Sequence, residues 1–109
     1  MYIGHRPDLD ADDLLSILQE RLGEFEVYKP GRFQVPDVMV RRSESEGAAV
    51  QIVQQRLRKR TKLRVYALAP SGAQRGWTPY GLRKQAEVMR PLVERVVEAL
   101  KADARLQPR

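Results

Sequence analysis

Residue types that carry out chemistry are few and scattered along this chain of 109 residues. There is no cysteine and one histidine, His5, so thiolate nucleophiles, cysteine-bound metals and multi-histidine metal sites are excluded. The serines lack the Gly-x-Ser-x-Gly context of a nucleophile elbow, and no glycine spacing fits a phosphate-binding loop. We therefore expect no catalytic residues, no metal site and no cofactor, in a protein that is not an enzyme.

Three alternating aspartates, Asp8, Asp10 and Asp12, are spaced like the first oxygen ligands of a calcium loop. The rest of that pattern is missing, because Asp13 stands where the loop needs glycine and Gln19 where it needs glutamate. Acidic residues are also favoured at the start of a helix, where they cap free amides and complement the helix dipole. Helix capping is the interpretation we prefer.

A basic segment gives the strongest local signal for a binding function. It holds six bases in nine residues with no acid: Arg56, Arg58, Lys59, Arg60, Lys62 and Arg64. Such a cluster suits phosphates and favours nucleic acid or another anionic partner. The alternative is a solvated hairpin turn that resists aggregation, and Tyr66 is the one aromatic residue nearby for stacking on a base.

A second candidate is the loop that contains Arg75, Trp77 and Tyr80. A cation and two aromatic rings before a helix N-terminus can hold a planar or anionic ligand. Trp77 and Leu82 also have the spacing of a hydrophobic staple, which gives Trp77 a structural role instead.

Hydrophobic periodicity defines the elements that must position these residues. Helical spacing predicts helices near 10–22, capped by Asp10 and ended by a left-handed Gly23, and near 79–102, where Pro91 should kink or split the helix. Period-two alternation predicts four strands, at 24–28, 33–42, 48–56 and 62–69.

The order α-β-β-β-β-α with short strand connections predicts a two-layer α+β fold. We expect a four-stranded antiparallel meander sheet with both helices on one face. The length fits one domain over residues 1–109, with a frayed tail over about 104–109. No long apolar run is present, so we expect no membrane association and a cytoplasmic location.

The outer face of the predicted sheet suggests a homodimer. Alternation turns several apolar side chains away from the helices, and a face wholly exposed to water would not require them. The residues proposed for self-association are Met39, Val53, Tyr66 and Leu68. Charge is also polarised, because residues 1–31 hold seven acids and three bases whereas residues 32–109 hold seven acids and 17 bases. Such asymmetry fits an anionic partner or two copies that meet acid to base.

Two functions remain open at this point. The first is a small non-enzymatic interaction domain that associates with itself through its sheet. The alternative is a nucleic-acid-binding module that uses the basic hairpin at 56–64.

Overall fold

A computed structural model describes residues 2–5, 9–30, 36–55, 60–69 and 79–106. In chain order the elements are β1 (Tyr2–His5), α1 (Ala11–Arg21), β2 (Glu26–Tyr28), β3 (Val38–Arg41), β4 (Gly47–Gln55), β5 (Arg60–Ala67), α2 (Pro79–Ala102) and a short 3₁₀ helix (Ala104–Leu106).

Helix α1 begins as its sequence predicts. The Asp10 carboxylate accepts a hydrogen bond from the Asp13 amide at 2.8 Å, which satisfies one of the free amides of the first turn. Its end is different from the prediction, because Gly23 is not left-handed. The Leu22 amide donates to the Leu18 carbonyl at 2.8 Å, and the chain then turns through a bond from the Phe25 amide to the Leu22 carbonyl.

Helix α2 continues through Pro91 as a single element, so the proline does not split it. Pro91 is exposed, and its ring therefore disturbs only the solvent side of the helix. The predicted frayed tail is wrong for residues 104–106, which form the 3₁₀ helix. Leu106 is only 2% exposed, because it packs into the core and holds this segment against the domain.

The strands form one antiparallel sheet in the order β1-β5-β4-β3-β2. The predicted α+β fold is confirmed, and β2 to β5 make the expected meander. The sheet also contains β1, a fifth strand that the sequence analysis did not anticipate. It pairs with β5, with Tyr2 opposite Arg64 and His5 opposite Thr61.

Register places alternate strand residues on an inner face that both helices cover. Val38, Val40, Val50 and Val65 are fully buried and share one core with the apolar side chains of α1 and α2. The predicted register is therefore correct, because a shift of one residue would have turned these valines outward. No helix among the described residues is long and apolar enough to cross a membrane.

Candidate functional site: the outer face of the sheet

The described part of the basic segment lies at the start of β5. Residues 56–59 lie outside the described residues, and Arg60 is described only as a strand position opposite Gln55. Lys62 and Arg64 follow on the same strand, opposite Val53 and Gln51 of β4. Of the proposed ligand loop, Arg75 and Trp77 lie outside the described residues, and Tyr80 is described only as a position in α2.

Residues that alternate with the core positions form the outer face, on the side of the sheet away from the helices. One row of Cα partners crosses four strands there: Tyr28, Met39, Ala49 and Tyr66. Met39 is 2% exposed and Ala49 has no exposed surface, whereas the two tyrosines at the ends are half-buried. The accessible aromatic surface of this row therefore lies at its two ends.

Arg64 and Tyr66 form the most specific arrangement on this face. They are two residues apart on β5 and therefore on the same side of the strand. The Arg64 guanidinium carbon lies 4.4 Å from the centre of the Tyr66 ring, within the range of a cation–π contact. Arg64 is exposed, and Lys62 beside it is half-buried.

The Tyr66 phenol stays neutral well above physiological pH. Burial raises its pKa above the ordinary value of 10.0, the Arg64 charge opposes that rise, and the Asp37 charge adds to it. Asp37 is itself engaged, because its carboxylate accepts a hydrogen bond from the Ile52 amide at 2.8 Å. The site thus presents a neutral ring beneath a cation.

The residues proposed for self-association separate into two groups. Met39 lies on the expected face but offers almost no accessible surface. Val53, Tyr66 and Leu68 are half-buried. Among the described residues the one exposed large hydrophobic side chain is Val88, which lies on α2 and is 48% exposed.

Part of the charge polarity noted in the sequence is offset by ion pairs within the chain. Acids from the front of the chain pair with bases from the rest: Glu20 with Arg105 at 3.1 Å, Glu24 with Arg95 at 3.2 Å and Glu26 with Arg41 at 3.6 Å. Three of the seven acids of this front are therefore paired with bases from the rest of the chain. No ion pair is described for Lys62 or Arg64.

The aspartates that resemble a calcium loop have structural roles where they are described. Asp10 caps α1, and Asp12 accepts a hydrogen bond from Lys29 at 2.8 Å, which raises the pKa of that lysine. The parts of the chain with described side chains contain no group of three residues suited to hold a metal ion. The side chains of His5 and Asp8 lie outside that description.

Sequence reasoning missed a buried carboxylate. Asp103 is 2% exposed and accepts hydrogen bonds from Arg21 at 3.0 Å, from the Arg105 guanidinium at 2.7 and 3.0 Å, and from the Arg105 amide at 2.9 Å. These contacts, led by Arg105, hold the pKa of Asp103 well below its ordinary value. Because every acceptor position is used within the fold, we interpret Asp103 as a structural clasp between α1 and the 3₁₀ helix.

A groove of about 660 Å³ runs between β5 and α2. Its floor is apolar, and its α2 side carries Arg83, Glu87, Arg90 and Glu94. Opposite charges alternate along this side, so the groove has no net preference for an anion.

Comparisons with known proteins do not assign a function to this chain. The sequence matches no protein-family model, and no curated protein or solved structure matches the chain.

Proposed function

We propose that this protein is a non-enzymatic binding domain that holds the phosphate backbone of a nucleic acid on the outer face of its sheet. The observation that carries the proposal is the exposed Arg64 above Tyr66, with Lys62 next to it on β5. Both bases belong to the basic segment at 56–64 and lie on β5, so their charge adds to that of the other bases in the segment.

Charge balance supports this choice of ligand. The described ion pairs of Glu20, Glu24 and Glu26 lie elsewhere in the fold, and no ion pair is described for Lys62 or Arg64. These two charges on β5 are therefore open to an anion. Phosphate contacts of this kind carry little information about base sequence.

The test measures binding of nucleic acid at several salt concentrations, on protein freed of nucleic acid at high salt. Affinity should fall as salt rises, because phosphate contacts release counterions. Replacing Lys62 and Arg64 together by Ala should weaken binding and flatten the salt slope by about 0.7 unit per lost contact with a single strand. Replacing Arg83 and Lys84 together by Ala is the matched control, since it also removes two charges, both exposed on α2. Equal salt slopes in the double variant and the wild type would refute the proposal.

Self-association through the same face is the second candidate, and the half-buried Val53, Tyr66 and Leu68 favour it. The buried Met39 reduces the apolar area that it can use. Light scattering on the nucleic-acid-free protein separates the two functions. A dimer that Leu68→Asp converts to monomer, without loss of nucleic-acid binding, would show that the sheet face also joins two copies.

A further inference from the structure

We infer that Tyr66 is a base-stacking residue whose ring Arg64 covers in the free protein, and that the site therefore takes single-stranded nucleic acid in preference to duplex. This inference rests on the proposed function and names the class of nucleic acid that the same site selects.

Geometry provides the first step. Tyr66 lies at the β5 end of the outer row, and its cross-strand partner is Ala49, the smallest side chain in that row. A small partner leaves no bulky side chain on that side to obstruct the ring. The one group described over the ring is the Arg64 guanidinium, at 4.4 Å.

The covering group is easily displaced. Arg64 is exposed, and a cation–π contact at an exposed site is worth about 0.5–1 kcal/mol. Stacking of a nucleic-acid base on an aromatic side chain is worth about 1–3 kcal/mol. A base that replaces the guanidinium therefore gains more than the contact it breaks, and Arg64 is then free to bind a phosphate of the same strand.

Selection for single strands follows from access to the base. In a duplex the faces of the bases are stacked against one another and cannot meet Tyr66, whereas an unpaired base presents its face. A duplex can still place its phosphates on Lys62 and Arg64, but it gains nothing from the ring. The difference between the two affinities should therefore depend on Tyr66 and not on the lysine.

The experiment measures the affinity of the full chain for two ligands by fluorescence anisotropy. One is a labelled single-stranded oligothymidylate, and the other is the duplex that this strand forms with oligoadenylate. Wild type and Tyr66→Phe should bind the single strand more tightly than the duplex. Tyr66→Leu should lose about 5- to 150-fold in affinity for the single strand, with little change for the duplex. Lys62→Ala should weaken both ligands, because it removes a charge that either can use.

A second readout follows Arg64 directly. In the free protein the ring current of Tyr66 should shift the NMR signals of the Arg64 side-chain protons, and Tyr66→Leu should abolish that shift. Saturation with oligothymidylate should abolish it in the wild type too, because the base takes the place of the guanidinium. If the shift persists at saturation, the base does not replace the Arg64 guanidinium and the inference fails.

The outcomes separate this inference from the function on which it rests. If Tyr66→Leu binds the single strand as tightly as Tyr66→Phe does, while the Lys62 and Arg64 double variant loses binding, the inference fails and the proposed function stands. If wild type prefers the duplex, the inference also fails. If wild type binds neither ligand at low salt, both fail.

Discussion

The Asp103 clasp offers the sharpest test of how the fold is held together. Asp103→Asn keeps the shape of the side chain and one acceptor oxygen but removes the charge that Arg21 and Arg105 share. Breaking a buried ion pair costs about 3–5 kcal/mol when the remaining charge stays buried. Here the side chains of Arg21 and Arg105 are 40% and 50% exposed, so water partly replaces the lost partner. We expect a loss of about 1–3 kcal/mol in the free energy of unfolding at pH 7, measured by urea denaturation and circular dichroism.

At acidic pH the difference in the free energy of unfolding between Asp103→Asn and the wild type should become smaller. The folded-state pKa of Asp103 lies below its ordinary value, so the carboxylate contributes its full stability above about pH 4 and loses it as the pH falls towards the folded-state pKa. The variant has no group to protonate there. Glu20→Gln is the matched control, since its carboxylate also pairs with Arg105 but is 66% exposed, and its removal should change little. An equal difference in the free energy of unfolding at pH 7 and at pH 3 would refute the assignment of the stabilisation to the Asp103 charge.

Two further predictions concern the core and α2. Leu14 is fully buried, so Leu14→Ala should lower the free energy of unfolding by about 2–5 kcal/mol in the same denaturation assay; a loss below about 1 kcal/mol would mean that the site collapses or is less packed than the structure indicates. Pro91→Ala should raise the thermal midpoint, because it restores an amide donor inside a helix where the ring is exposed and fills no core space, with a net gain of about 1–2 kcal/mol. An unchanged or lower midpoint would show that the helix is shaped to accommodate the proline.

Local periodicity was sufficient to predict the meander and its register. Val38 follows Asp37, Val40 precedes Arg41 and Val50 precedes Gln51. This alternation assigns the three valines to the covered face. It could not reveal β1, because Tyr2–His5 is short, contains a glycine and gains its strand conformation from a partner distant in the sequence.

Burial depends on neighbours that a single strand does not contain. Alternation correctly turns Met39 outward, but its loss of exposure depends on the side chains that surround it on the assembled face. The burial of Asp103 has a similar origin, since its partner Arg21 is distant in the sequence, although its other partner, Arg105, is only two residues away. The Arg64 and Tyr66 pair was within reach of the sequence, because residues two apart on a strand share a side. The sequence pattern identified Tyr66 as a nearby aromatic residue but did not pair it with Arg64.

The pairing of β1 with β5 also bears on how the chain folds as it is synthesised. Tyr2 pairs with Arg64, which is synthesised 62 residues later. At a synthesis rate of about 5–20 residues per second, the first strand is therefore without its partner for roughly 3–12 s. The β4–β5 hairpin is local and can form as soon as both of its strands are made. Until β1 docks, the outer edge of β5 is open to the same edge of another nascent chain. Lys62 and Arg64 lie on that edge strand, and we expect the repulsion between their charges and those of a second copy to oppose such pairing during this interval.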